Sequence, residues 1–131
     1  MRVSGLNHVN LIVQDIDATA RFYETVLGMK ARTIPNVPAG FAGRWIFDES
    51  GTPIIHAQAY NPDRHGAPRE TGDKSGAIDH VALTCADFAG MIRRCEELGV
   101  AHRVNDGQFG LRQVFVTDPD NVVLELNFPE G

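Results

Sequence analysis

One motif occurs twice in this sequence, and the repeat limits the folds that the chain can adopt. NHVNLI at residues 7–12 returns as DHVALT at residues 79–84. In both copies the histidine is followed, at the same spacing, by an aspartate that opens an amphipathic helical pattern, Asp15 in the first copy and Asp87 in the second. Each helical pattern ends at a glycine. Self-similarity of this kind predicts a duplicated module, in which each copy places one histidine.

Size and charge narrow the class of protein. A chain of 131 residues with 43% hydrophobic content predicts a single domain, 1–131, whose two modules share a core. The net charge of −5 argues against binding to nucleic acid or to an anionic membrane surface. No apolar run approaches the roughly 20 residues of a membrane span, and the first strand begins too early to leave room for a signal peptide. We therefore expect a cytoplasmic protein.

Each module is predicted to have the order strand, helix, strand, strand, strand. Apolar residues alternate or recur at helical spacing in the first module, about 5–60, and again in the second, about 77–128. The polar segment 61–76, with its prolines and glycines, is predicted to be the connecting loop. Cys85 and Cys95 match no metal or redox spacing. The predicted strands are 6–13, 29–34, 44–48, 52–59, 77–85, 102–105, 111–117 and 122–128, and the predicted helices are 15–27 and 87–98.

Four of the predicted strands carry a side chain that can bind a metal on their polar face. These side chains are those of His8, His56, His80 and Glu125. A single histidine in a strand is more often structural than a ligand, but repeat-related positions favour a shared role. Glu125 lies in a strand that is otherwise apolar, and a buried carboxylate needs a partner or a metal. Imidazole and carboxylate together suit Zn, Ni, Co, Mn or Fe as divalent ions.

With these residues the sequence resembles the vicinal oxygen chelate superfamily, which includes glyoxalase I, methylmalonyl-CoA epimerase, extradiol dioxygenases, fosfomycin-resistance thiol transferases and bleomycin-binding proteins. The resemblance covers essentially the whole chain. It rests on NHV at 7–9, FY at 22–23, VLG at 26–28, DHVAL at 79–83, DPD at 118–120 and LEL at 124–126.

The resemblance implies an α+β fold in which two βαβββ modules form an open, cup-like mixed sheet around one divalent metal. His8, His80 and Glu125 match the family's ligand positions. His56 falls where glyoxalase I has a glutamate and the epimerase a glutamine, which weakens a glyoxalase assignment specifically. Asn121 stands where many relatives have glycine, and asparagine can adopt the same left-handed turn.

The leading functional hypothesis is an enzyme of the glyoxalase or epimerase type. In it a metal polarises a small α-oxygenated carbonyl substrate and Glu125 moves the α-proton. The runner-up is an iron-dependent extradiol dioxygenase that uses His8, His80 and Glu125 alone. A thiol transferase ranks third. The rivals from another class are a metal-free small-molecule binding protein of the bleomycin-resistance kind and a polar cup that holds no metal.

Strand parity suggests further residues around the ligands. Two arginines, Arg44 and Arg112, could meet an anionic group of the substrate. The duplicated modules and the family resemblance also predict a homodimer, with sites formed either within one chain or across two. The side chains that share faces with the ligands, and are expected next to them, are those of Asn10, Gln58, Thr84 and Asn127.

Overall fold

The computed structural model describes residues 1–33, 35, 42–67 and 77–129. The chain divides into two compact units, Met1–Arg69 and Glu70–Gly131. Each unit has its own sheet and its own main helix, and each is described by itself below. Among the described residues, no helix has the length and apolar character needed to cross a membrane.

The first unit is a four-stranded mixed sheet with one main helix. The sheet order is β1-β4-β3-β2, with β1 parallel to β4 and the other neighbouring pairs antiparallel. A single helical turn, α2, follows the last strand. The elements are β1 (Val9–Val13), α1 (Ile16–Thr25), β2 (Lys30–Thr33), β3 (Gly43–Phe47), β4 (Pro53–Ala59) and α2 (Pro62–His65).

The second unit repeats this topology. Its sheet order is β5-β8-β7-β6, with β5 parallel to β8 and the other neighbouring pairs antiparallel. A short 3₁₀ turn at Gln108–Gly110 precedes β7. The elements are β5 (Val81–Thr84), α3 (Phe88–Leu98), β6 (Arg103–Asp106), β7 (Arg112–Thr117) and β8 (Val123–Asn127).

The predicted α+β class and the βαβββ order are confirmed. The single cup-like sheet of that prediction takes the form of one four-stranded sheet in each unit. Two details differ. The first strand of each unit starts directly after its histidine, at Val9 and Val81, and the segment predicted to be a loop contains α2. Residues 34, 36–41 and 68–76, which include the end of the second predicted strand and most of the predicted loop, lie outside the described residues.

Both main helices begin at the predicted aspartates. The side chain of Asp15 accepts a hydrogen bond from the backbone N–H of Ala18 at 3.0 Å, and that of Asp87 accepts one from Gly90 at 2.9 Å. These bonds satisfy N–H groups that have no partner within the helix. Gly99 ends α3 with a φ of 66°, a conformation that glycine adopts without strain.

Each helix covers one face of its own sheet, so the other face is left to the polar side chains. α1 packs on β2, β3 and β4, and α3 packs on β7. The strands alternate accordingly, because successive side chains point to opposite faces. In β4 the buried residues Ile55 and Ala57 flank His56, and in β8 the buried residues Leu124 and Leu126 flank Glu125.

Candidate functional site

His8 and His80 occupy equivalent positions in the two units, and each is held by the residue before it. The Nδ1 of His8 lies 2.6 Å from Oδ1 of Asn7, and the Nδ1 of His80 lies 2.9 Å from Oδ2 of Asp79. Both of these oxygens are acceptors, so each ring donates its Nδ1–H. The Nε2 atom of each imidazole is therefore the one left to face a ligand.

In the second unit, His80 meets Glu125. β5 and β8 are parallel with Ala82 opposite Glu125, so the histidine just before β5 lies on the same face as the carboxylate. The Nε2 of His80 is 3.0 Å from Oε2 of Glu125, whose side chain is 17% exposed. The hydrogen bond that the Nδ1–H of His80 donates to Asp79, with the charges of Glu125 and Asp79, raises the pKa of His80 above its ordinary value, against a smaller opposing effect of burial.

The other oxygen of Glu125 is bound by an amide. The Nε2 of Gln113 donates to Oε1 of Glu125 at 2.8 Å and to Oδ1 of Asn127 at 2.9 Å. The Oε1 of Gln113 accepts from Nδ2 of Asn105 at 2.8 Å. Gln113 is only 8% exposed, so these bonds satisfy a buried amide completely.

In the first unit, His56 packs against Trp45. The two residues are opposite each other in the antiparallel pair of β3 and β4, and their rings stack with centroids 4.2 Å apart at an angle of 14°. The ring of His8 packs edge-to-face with the same tryptophan, with centroids 5.1 Å apart, and its centroid is 6.3 Å from that of His56. Two imidazoles and one indole thus form an aromatic cluster on the polar face of this sheet.

His56 has an unsatisfied polar atom. Its Nε2 is buried and has no hydrogen-bond partner among the described residues. Burial lowers the pKa of His56, and the nearby charges of His8 and Arg64 lower it further. The lowered pKa favours the neutral imidazole, which is the form that binds metals through its lone pair.

The spacing of two donor atoms in the second unit fits a divalent metal. Two ligands that bind one metal at about 2.1 Å each lie about 3 to 3.5 Å apart, and the Nε2 of His80 and Oε2 of Glu125 are 3.0 Å apart. The buried Nε2 of His56, which has no hydrogen-bond partner among the described residues, is a third candidate donor atom. Each unit supplies one pair of candidate ligands. Among the described residues, no group of three or more His, Cys, Asp or Glu side chains could hold a metal.

The six residues expected around the ligands lie in different surroundings. Asn127 accepts a hydrogen bond from Gln113, whereas Asn10 is exposed and lies opposite His56 in the register of β1 and β4. Gln58 is partly buried opposite Ile12, and Thr84 is exposed opposite Asn127.

Both arginines lie on the helix side of their sheets. Nη2 of Arg44 is 3.1 Å from the carboxylate of Asp17 on α1. Nε of Arg112 is 3.2 Å from that of Asp106, and its guanidinium lies over the ring of Phe88 on α3, 5.7 Å from the centroid. The two arginines are thus engaged with side chains away from His56 and Glu125.

Sequence reasoning missed the residues that hold the candidate ligands. Asn7 and Asp79 belong to the repeated motif, so their position before each histidine was the available signal. Gln113 is a polar residue in a predicted strand, on the face opposite Val114 and Val116, which indicates a polar partner on the neighbouring strand. The partner of Asn105 follows only from the register of β6 and β7.

Comparison with known proteins defines the class. A family model for the Glyoxalase/Bleomycin resistance protein/Dioxygenase superfamily matches residues 5–126, so the chain belongs to this superfamily. The protein named Glyoxylase I 4 of Arabidopsis thaliana is 25% identical over 130 residues, which cover 96% of this chain and 71% of the plant protein.

Solved structures share the fold. A glyoxylase/bleomycin resistance protein/dioxygenase domain from Frankia sp. EAN1pec superposes with a TM-score of 0.75 at 19% identity, over 97% of this chain and 93% of that one. A mutant of the fosfomycin resistance protein FosX from Listeria monocytogenes, complexed with Mn(II) and 1S,2S-dihydroxypropylphosphonic acid, superposes with a TM-score of 0.72 at 19% identity and the same coverage. At these identities the likeness describes the fold alone.

Proposed function

We propose that this protein is a divalent-metal-dependent enzyme of the glyoxalase or epimerase type, which moves the α-proton of a small α-oxygenated carbonyl compound. The observation that carries the proposal is the pair formed by His80 and Glu125, with Nε2 and Oε2 3.0 Å apart. The remaining polar atoms of both side chains are bound by Asp79 and Gln113. An imidazole and a carboxylate fixed in this way suit a metal and proton transfer.

The proposed metal ligands are His8, His56, His80 and Glu125, two from each unit. The buried Nε2 of His56, for which the described residues offer no hydrogen-bond partner, supports its inclusion. The Mn(II) in the FosX complex supports a divalent ion, and the donor set suits Zn, Ni, Co, Mn or Fe. When bound, the metal supplies Lewis-acid stabilisation of the negative charge that develops on the substrate's oxygens.

Glu125 is the proposed catalytic base. Its side chain is mostly buried but not sealed, at 17% exposure, so a substrate can reach it while bulk water is largely excluded. The amide of Gln113 fixes one oxygen of this carboxylate, and the other oxygen is the one that takes the α-proton. His80 is positioned by Asp79 and in turn faces Glu125.

The test is exchange of the α-proton for deuterium. A panel of α-hydroxy and α-keto carbonyl compounds is incubated in D₂O with the metal-loaded protein, and the α-carbon signal is followed by NMR. The proposal expects exchange with at least one compound, abolished by chelation and by Glu125→Gln. Turnover that is unchanged in Glu125→Gln would refute this role for the carboxylate.

A second candidate function is an extradiol-type dioxygenase that uses iron. It is favoured by the likeness of His8 and His80, which share both position and Nδ1 hydrogen bonding, whereas His56 lies within a strand and stacks on Trp45. His8, His80 and Glu125 would then be the two-histidine, one-carboxylate set of non-haem iron enzymes. Oxygen consumption with a catechol by the iron-loaded protein would establish this function in place of the first.

We also propose a cytoplasmic homodimer that acts on a small molecule. Mixing chains that carry His8→Ala with chains that carry Glu125→Ala tests whether two subunits share sites. Shared sites predict that some activity returns in the mixture, whereas sites formed within one chain predict none. Analytical ultracentrifugation of the wild-type protein tests the dimer itself.

A further inference from the structure

A row of amides crosses the second sheet beside Glu125. Asn105 of β6 lies opposite Gln113 of β7, which in turn lies opposite Asn127 of β8. Side chains directly opposite each other in an antiparallel pair are within hydrogen-bonding reach. From the middle of this row, Gln113 also reaches diagonally to Glu125, two residues before Asn127.

The orientation of every amide in the row follows from one backbone donor. The backbone N–H of Gln108 donates to Oδ1 of Asn105 at 3.2 Å, so this atom must be the carbonyl oxygen. The Nδ2 of Asn105 then donates to Oε1 of Gln113. This leaves the Nε2 of Gln113 facing Glu125, because an amide has one acceptor end and one donor end.

The amide of Gln113 therefore has no freedom to turn. Both of its N–H donors are used, one on Oε1 of Glu125 at 2.8 Å and one on Oδ1 of Asn127 at 2.9 Å. Its own oxygen is used by Asn105 at 2.8 Å. Because Gln113 is only 8% exposed, water has little access to compete for these bonds. The carboxylate of Glu125 thus has one committed oxygen, and the other faces His80.

We propose that Gln113 is a positioning residue that makes Glu125 present a single oxygen, Oε2, to the metal and the substrate. Asn105 assists by fixing the direction of the Gln113 amide. This inference rests on the proposed metal-dependent function and adds to it that Glu125 would hold a metal through one oxygen only. In the first unit, the position equivalent to Gln113 is Gly43, which has no side chain to do the same for His56.

The experiment measures metal binding by the full-length protein. Mn²⁺ dissociation constants are determined for the wild type and for Gln113→Met, which keeps the length of the side chain and removes its donors. Loss of a residue that orients a ligand typically costs about 10- to 100-fold in metal affinity, and we expect a loss in this range. Asn105→Ala should weaken binding in the same direction but by less.

Co²⁺ spectra separate positioning from a merely structural role. Without the Gln113 amide, Glu125 can offer both oxygens, so the visible absorption bands of bound Co²⁺ should shift in Gln113→Met. Thr117→Val is the matched control, because Thr117 lies on the same strand and the same face as Gln113, opposite Val123, and makes no side-chain hydrogen bond to Glu125 among the described residues. The control should bind Mn²⁺ and give the Co²⁺ spectrum of the wild type.

The outcomes are distinct. Wild-type affinity and an unchanged Co²⁺ spectrum in Gln113→Met would overturn this inference and leave the proposed function standing. A wild-type protein that binds neither Mn²⁺ nor Co²⁺ would overturn both. If melting curves show that Gln113→Met does not fold, Asn105→Ala decides alone, since its side chain is only partly buried at the edge of the sheet.

Discussion

His56 and Glu125 occupy the same position in the two copies of the module, and their surroundings are opposite in character. Each lies in the last strand of its sheet, opposite an aromatic residue of the preceding strand, Trp45 in one unit and Phe115 in the other. His56 stacks on its aromatic neighbour, and within the described part of the chain its Nε2 has no hydrogen-bond partner. Glu125 instead receives hydrogen bonds or ionic contacts on both oxygens.

The repeated backbone and the side chains contribute differently to these two positions. The strand register determines where His56 lies in β4 and where Glu125 lies in β8. The residues around each position then determine its surroundings: burial disfavours the charged form of the imidazole of His56. Beside Glu125, the amide of Gln113 and the ring of His80 contact the two carboxylate oxygens. One module is thus suited to offer a lone pair, and the other a carboxylate.

The largest expected effect is the loss of turnover on removing the carboxylate. Glu125→Gln should lower the rate of α-proton exchange by about 10²- to 10⁴-fold, the usual contribution of a general base, while much of the metal is retained. The matched change in the other unit, His56→Gln, should cost less, because an amide oxygen can still bind a metal. Rates from NMR exchange, with metal content measured on the same samples, check both. Equal losses in the two variants would mean that the two positions do not differ in role.

The turns between the last two strands of each unit offer a second contrast. Oδ1 of Asp118 accepts hydrogen bonds from the backbone N–H groups of Asp120 at 2.8 Å and Val122 at 3.0 Å, and Asp118 is 3% exposed. Asp118→Ala should lower the free energy of unfolding by about 1 to 3 kcal/mol, because buried donors lose their acceptor.

Asp48 is the control for that change. It makes the equivalent bonds to the N–H groups of Ser50 and Thr52, but Ser50 and Thr52 are exposed, so water can replace the carboxylate. Asp48→Ala should therefore destabilise the protein less than Asp118→Ala does. Urea unfolding of both variants measures the difference, and the reverse order would contradict this account of the turns.

The same two turns differ at their left-handed residue. Gly51 has a φ of 84° and Asn121 a φ of 65°, so the predicted left-handed conformation of Asn121 is confirmed. Gly51→Ala should cost about 1 to 2 kcal/mol from the backbone alone, since a Cβ there meets no atom within 4 Å. Asn121→Gly should raise the free energy of unfolding by about 0.5 kcal/mol or less, because glycine adopts this conformation without strain. Thermal melts test both signs, and a neutral Gly51→Ala would show that the turn relaxes to another conformation.

The smallest effect is a pH dependence at Asp48. The hydrogen bond from Ser50 Oγ, assisted by the backbone N–H of Thr52, holds the pKa of Asp48 below its ordinary value. The unfolded chain therefore takes up this proton first as the pH falls. Asp48 stabilises the fold above the pKa of the unfolded state, and this stabilisation is lost as the pH falls through the folded pKa.

Acid titration of the wild type and Ser50→Ala checks this sign. The variant should lose less stability than the wild type between neutral and strongly acidic pH, because it has less of the carboxylate's stabilisation to lose. A steeper acid loss in Ser50→Ala would contradict the assignment of the pKa shift to this hydrogen bond.

Much of the fold could be predicted because the local signals agree with the tertiary ones. The helices begin at Asp15 and Asp87 and α3 ends at Gly99, as expected for aspartate N-caps and a C-terminal glycine. The alternation of apolar and polar residues also correctly predicted that Glu125 lies on the polar face of its strand. The short helix α2 escaped prediction because a single turn has too few residues to show a period. Strand β5 was predicted to begin at residue 77 but begins at Val81, because the apolar pattern does not show where pairing between strands begins.

The network around the candidate site could be predicted only in part. The alternation along the last strand predicted that Asn127 lies on the same face as Glu125. The hydrogen bond that Gln113 donates to Asn127 depends on the register of β7 and β8, which the sequence does not show. Arg44 was expected near a substrate, yet its position in β3 alternates with Trp45 and so faces α1. A sequence gives the face of a residue only relative to its neighbours, and the cross-strand partner comes from the folded sheet.

The most direct test of the metal-dependent account is elemental analysis of protein purified without a histidine tag, for the wild type and His56→Ala side by side. We expect about one transition metal per chain in the wild type and the loss of this metal in His56→Ala. Metal retained in His56→Ala, above all iron, would remove His56 from the ligand set and favour the dioxygenase. A wild type that holds no metal even after reconstitution would contradict the central claim and favour a binding protein instead.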